Sequence, residues 1–207
     1  LTDNDNVSGP KMTISNTLIA KVPSLADLYD EMENSENNLA EEIIAELNDI
    51  ESLKDQIENT ELKMLKSDEM NWDEKQSLKS SIDQSKKEIK KLEKIAEAIK
   101  SITEQAEKHK LLSPKMLEKF KELSKLVNEI MPKDMMNNID DLEMALENMD
   151  MDSIQDALSQ LSEDMEKIEK DLDRYLEIFK RFQAEQKLDE IQNRLQNLIE
   201  QQSALDN

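Results

Sequence analysis

From Leu25 onward the apolar residues recur at alternating steps of three and four, and this spacing constrains the fold more than any other feature of the chain. Leu25, Met32, Leu39 and Leu53 share one heptad position, while Tyr29, Ile43, Ile50, Ile57 and Met64 share the one that completes the pattern. The positions between them are nearly all polar, so the helix has the narrow apolar seam of a coiled coil. A narrow seam needs cover. Three or more helices, or a second copy of the chain, must converge on it. Two seam slots hold Glu36 and Glu46, which predicts loose packing there or a covering partner.

Composition narrows the alternatives. Glycine occurs once in 207 residues, at Gly9, so turns needing positive φ are few and folds rich in hairpins or phosphate-cradling loops are disfavoured. Cysteine is absent and His109 is the single histidine, which excludes disulfides, thiolate zinc sites, a cysteine nucleophile and paired-histidine chemistry. With 27 Lys+Arg against 48 Asp+Glu, the net charge of −21 repels nucleic acid and anionic lipid and favours cationic or apolar partners. No run of about eighteen apolar residues is present, so no membrane span is expected. The chain opens at Leu1 without a basic-then-apolar leader, and an excised fragment is expected.

Residues 1–22 differ from the rest. Asp3-Asn4-Asp5-Asn6 and Ser8-Gly9-Pro10 are turn chemistry, and Met12 to Val22 alternates as a strand, with Ile14, Leu18, Ala20 and Val22 on one face. A lone strand cannot satisfy its own backbone, so this extended arm is expected to close a β-domain upstream. Residues 23–207 then read as an all-α, elongated, antiparallel coiled-coil or helical bundle. Its helices are expected at about 25–66, 73–110, 114–131, 133–148 and 153–205. Ser24 is a fitting cap for the first, with Asp27 in its first turn. Asn71 and Glu74 have the form of a capping box opening the second, whose seam is Leu78, Ile82, Ile89, Leu92, Ala96, Ile99 and Ala106. Ser113-Pro114 opens the third, and Pro132 ends it near Met131. Asp152 with Gln155 suggests another capping box before the longest helix. That helix carries Ile154, Leu158, Leu161, Met165, Ile168, Leu172, Tyr175, Phe179 and Phe182. Its stripe slips in phase across Gln183 to Gln186 and resumes with Leu188, Ile191, Leu195, Leu198 and Leu205, which predicts a change of neighbours.

Candidate sites are sparse. Asp150-Met151-Asp152 lacks the glycine a calcium loop needs, and Asp3 and Asp5 fit plain turns. His109 sits in the last turn of the second helix, where positive groups offset the dipole. Twelve methionines include Met131, Met135, Met136 and Met144 around the middle junction, either filler for an irregular core or the lining of a docking groove. Arg174 and Arg181 flank Tyr175, Phe179 and Phe182 in an aromatic-basic patch. Among 48 acids no pair stands out as general acid and base, so no enzyme activity, cofactor or metal is expected. A structural or scaffolding module is the first expectation. A module that captures a cationic or apolar protein client through the Met-rich junction and the acidic surface is the alternative. Self-association fits either.

Several segments resemble a family of large bacterial proteins. They are Asp3-Asn4-Asp5-Asn6-Val7-Ser8-Gly9-Pro10-Lys11, Pro23-Ser24-Leu25-Ala26-Asp27-Leu28-Tyr29, Asn71-Trp72-Asp73-Glu74-Lys75-Gln76, Leu112-Ser113-Pro114 and the stretch from Leu176 to Leu188. The family is domain-of-unknown-function family 4175, whose members are similar in having N-terminal membrane helices, a β-rich part and a long Glu/Leu/Gln/Lys-rich helical region. The resemblance implies a membrane-anchored cell-envelope parent with this fragment outside the bilayer. It carries no site residues.

Overall fold

The computed structural model describes residues 23–64 and 70–205, and the expected N-terminal arm, residues 1–22, lies outside them. The described chain is all-α. Five helices follow one another: α1 (Leu25–Met64), α2 (Trp72–His109), α3 (Pro114–Ile130), α4 (Met135–Asn148) and α5 (Met151–Leu205). No strand occurs among the described residues. No described helix is long and apolar enough to cross a membrane.

Each long helix meets two sets of neighbours. α1 packs on α2 and α5, while α3 and α4 both pack on α2 and α5 and neither touches α1. The two short helices therefore share one corner of a bundle, as a single helix broken at Pro132. Proline disfavours the helical conformation of the residue before it, and Met131 is accordingly extended at φ −76°, ψ 121°. Ion pairs mark the levels at which helices meet. Glu33 pairs with Lys187 at 2.8 Å and Lys54 with Glu169, so the start of α1 lies beside a later part of α5 than its middle does. Likewise Lys86 meets Glu143 at 2.5 Å and Lys121 meets Glu107 at 2.6 Å.

One continuous core results, running from Met32 and Phe182 to Met64 and Ile154 and drawing on all five helices. The cover that narrow seams require is supplied by helices of the same chain. α2 departs from its expected seam, because Ala96 is only partly buried while Ile95 and Ile102 are buried. A helix between two neighbours buries a face wider than one seam. Buried Thr60 and Thr103 return their hydroxyls to the carbonyls four residues back, at 2.8 and 2.7 Å, which satisfies them without a tertiary partner.

Helix ends follow the chemistry of the caps. Asn71 accepts from Glu74 N at 2.9 Å while Glu74 accepts from Asn71 N at 2.8 Å, the reciprocal box read from sequence. Ser24 and Asp27 form a second such box, at 2.8 and 3.1 Å, where only an N-cap and a dipole contact were expected. Ser113 caps α3 ahead of Pro114. The opening of α5 differs from expectation. Asp150, not Asp152, does the capping: it accepts from Ser153 N at 3.3 Å and Ser153 Oγ at 2.8 Å, so the helix begins two residues early, at Met151. α4 starts at Met135 rather than 133, after a turn in which Met135 N donates to Pro132 O at 3.2 Å.

Two helices end in the left-handed conformation without glycine. Lys110 stands at φ 53° and Met149 at φ 55°. Leu111 N reaches back to Ala106 O at 2.9 Å and Asp150 N to Ala145 O at 3.1 Å, the six-to-one bond of a Schellman ending. The left-handed region costs a residue with a Cβ about 1 kcal/mol or more. Lys110→Gly is therefore expected to stabilise the bundle by about 1 kcal/mol, offset slightly by unfolded-state entropy. Met135→Ala, at a fully buried position, is expected to cost about 2–5 kcal/mol. Chemical denaturation of the three chains measures both, and equal stability of Lys110→Gly and the parent would contradict the cost assigned to the ending.

Candidate functional site

Two buried acids come together where α1 meets α2. Glu46 and Glu88 are both buried, at 2% and 3% exposed, and their helices also bring Asp49 and Lys91 to the same place. Lys91 Nζ lies 2.5 Å from Glu88 Oε2, 2.6 Å from Asp49 Oδ2 and 3.6 Å from Glu46 Oε2. Glu46 Oε1 is buried with no hydrogen-bond partner among the described residues. Burial, and next the charge of Glu88, push the Glu46 carboxyl well above the usual carboxylate range, against the pull of Lys91. Burial would lower Lys91, but the hydrogen bonds to Asp49 and Glu88 and the charge of Glu46 raise it instead.

The three carboxylates come within 4.8 Å of one another, a spacing that suits a cation. The ammonium of Lys91 already fills that role, close to all three. We read the cluster as an ion network at the edge of the core, in which buried Glu46 and Glu88 and half-exposed Asp49 share one lysine that reaches solvent.

Glu36, the other acid placed in the seam by sequence, lies between α1 and α5. The Gln186 amide, turned so that its nitrogen faces inward, donates to both Glu36 oxygens at 3.1 Å. Burial raises the Glu36 pKa to about 8, and nearby Glu33 adds to this while Gln186 and Lys187 oppose it. The expectation of a covering partner for Glu36 and Glu46 is met by α5 and α2. Glu88 and Lys91 were not singled out by sequence. The signal was present: Ser81, Ser85, Glu88, Leu92, Ile95, Ile99, Ile102 and Ala106 form a second 3–4 register on α2.

The residues read as a docking patch do not form one site. Met135 is fully buried and belongs to the core, because the turn after Pro132 folds it inward. Met131 is partly buried against the core and lines a groove between α2 and α3 with Val127 and Ala96. Met136 and Met144 are exposed at 45% and 54%. Met144 sits apart, over a shallow hollow between α4 and α5 rimmed by Asp141, Asp150 and Asp156. Arg174 and Arg181 border two hollows between α3 and α5 that share Leu126 and Ile178 and so make one groove. Behind it Phe120 stacks on Phe182 with ring centres 4.8 Å apart, and Tyr175 stacks on Phe179 at 6.1 Å. The aromatic rings pack the core and the arginines remain exposed. His109 closes α2 in its last turn beside Lys108.

Comparison with family models, with curated proteins and with solved structures found no match to this chain.

The buried acids set a pH dependence. Unfolded, Glu36 and Glu46 titrate near 4.5; folded, their pKa values are raised, to about 8 for Glu36. Between those limits these two groups hold more protons in the folded chain than in the unfolded one, so their contribution to stability is fullest below about pH 4.5 and is lost as pH rises toward 8. Relief of the general negative charge on acidification acts in the same direction, so the variants isolate the buried groups. Glu36→Gln with Glu46→Gln is expected to raise the thermal midpoint at about pH 8.5 and to flatten its rise between about pH 8.5 and 5.5. An unchanged slope in the double variant would show that these carboxyls are not the source.

Proposed function

We propose that the chain is a non-enzymatic scaffold, an antiparallel coiled-coil bundle that holds other parts of a larger protein apart. In this reading residues 1–22 are an extended arm that closes an upstream β-domain, and the parent is a membrane-anchored bacterial envelope protein of the kind it resembles, domain-of-unknown-function family 4175. The observation that carries the proposal is the bracing of α5. This helix runs 55 residues, about 80 Å at 1.5 Å per residue, and is packed by α4 and α3 along its first part and by α1 as far as the Glu33–Lys187 ion pair. A strut needs that kind of support, and the core spends its apolar surface on it.

A second reading has an observation of its own. The hollow under exposed Met144 combines a flexible thioether with Asp141, Asp150 and Asp156, a surface suited to a client carrying both apolar and cationic groups. The test replaces residues 25–190 of the full-length protein, in its own cell, with an unrelated helical rod of equal length. Retained cellular function is expected of a scaffold. A second variant, Asp141→Lys with Met144→Lys and Asp156→Lys, is expected to leave function intact. Loss in both would move the assignment to client capture.

A further inference from the structure

The far end of α5 carries an apolar face that the bundle does not cover. Among the described residues Phe182 is the last buried core residue on this helix, and Lys187 makes its ion pair with Glu33 of α1. Beyond them Leu188, Ile191, Leu195 and Leu198 are 62%, 61%, 59% and 61% exposed, with Ile199 beside them at 51%. Other exposed apolar residues of the described chain, such as Leu62 and Trp72, are scattered singly, which is ordinary. Here five occur within twelve residues on one face. Their 3-4-3 spacing continues the seam pattern, so the sequence builds a packing surface at a place where α1, α2, α3 and α4 provide nothing to pack against it.

Charge indicates what covers it. The chain as a whole carries −21, yet the stripe and its flank, residues 187–199, KLDEIQNRLQNLI, balance Lys187 and Arg194 against Asp189 and Glu190 and are neutral. A cationic partner finds its attraction elsewhere on this molecule. An anionic membrane favours an excess of Lys and Arg on the polar face of a surface helix, and here Asp189 and Glu190 cancel Lys187 and Arg194 among Gln and Asn. A second copy of the same chain is strongly repelled everywhere except at such a neutral stretch.

We propose that this stripe is the interface of a homodimer, with α5 packing antiparallel on its counterpart. The spacing is symmetric about position 193, so Leu188 meets the partner's Leu198 and Ile191 meets the partner's Leu195, an isologous two-fold contact. In that register neither Asp189 nor Glu190 falls opposite an acid of the partner chain. A parallel pairing would set Asp189 and Glu190 against their own copies, and like charges at short range disfavour it. Five apolar side chains contribute about 400 Å² per chain. With the flanking Gln stems, a two-chain contact reaches about 1,000 Å², the lower bound for a specific interface. The dimer is therefore modest in area and forms at micromolar or higher concentration.

Sedimentation of the full chain over a range of concentrations, in about 0.15 M salt, tests the proposal. The expected result is a mass that doubles as concentration rises. Ile191→Glu with Leu195→Glu changes two exposed residues, so the fold and its helical circular dichroism are expected to hold while the mass stays that of a monomer. A parent chain that is monomeric at all concentrations overturns the proposal, and so does a dimer that survives both substitutions. A monomeric parent that dimerises only when Ile14→Asp and Leu18→Asp are introduced would assign the stripe to residues 1–22 instead. Binding to neutral phosphatidylcholine vesicles without self-association would assign it to a lipid surface. Because the chain has no cysteine, orientation is read separately. A mixture of the Ile191→Cys and Leu195→Cys variants is expected to cross-link between the two, whereas efficient cross-linking of Ile191→Cys to itself overturns the antiparallel register.

Discussion

Every long helix of this molecule must satisfy two neighbours at once, and the rest of the architecture follows from that demand. α2 lies between α1 and the α3–α4 pair, and α5 lies between α1 and the same pair. Two overlapping apolar stripes on one helix leave little room for a polar buried edge. Where the second stripe of α2 runs out of isoleucine it continues as Ser81, Ser85 and Glu88, all buried. The acid network with Glu46 and Lys91 is therefore a product of packing two helices against α2, at a level where the second stripe has turned polar.

Scarcity of glycine shapes the ends of the helices as strongly as the seams shape their middles. A chain with its one glycine at position 9 has none for the turns after α2 and α4. Lys110 and Met149 take the left-handed conformation there, and the Schellman hydrogen bonds and the buried Leu111 that follow Lys110 hold the ending in place. Proline supplies the other break. Pro132 divides one corner of the bundle into α3 and α4, and Met135 is drawn into the core just where the backbone is irregular, a place suited to an unbranched, adaptable side chain.

Much of this was legible in the sequence because it rests on local chemistry. The box at Asn71–Glu74 depends on residues three apart, the Ser113-Pro114 start on two adjacent ones, and the α5 seam from Ile154 to Phe182 on one period. What sequence missed depended on geometry between helices. Ile95 and Ile102 belong to a second register that matters only because α2 has a second neighbour. Glu88 and Lys91 gain significance only when Glu46, forty-odd residues earlier, faces them. The opening of α5 turned on a choice between Asp150 and Asp152, two residues of equal capping ability, and the left-handed ending of α4 at Met149 favoured the earlier one. The methionine cluster was real in sequence but not in space, since Pro132 turns Met135 inward while Met144 points to another face.

Buried acids that cost stability still do something for a bundle of repeating seams. Leucine and isoleucine at heptad spacing fit nearly as well after a slide of seven residues, so apolar packing alone sets register weakly. Polar pairs do not tolerate the slide. If α1 moved one heptad along α2, the place of Lys91 would fall to Ala98 or Gln84, and that of Glu88 to Ile95 or Ser81. Glu46 would then be buried without the lysine it shares with Glu88, which disfavours the slid register. A slide of α5 in one direction would exchange Gln186 for Phe179 opposite Glu36, and the carboxyl would lose its amide. The α1–α2 and α1–α5 contacts are each pinned by one such group, at Glu46 and at Glu36. The Glu36 contact, with the Glu33–Lys187 ion pair, sets how far α5 projects past the start of α1, and hence where Leu188 to Leu198 stand clear of the bundle.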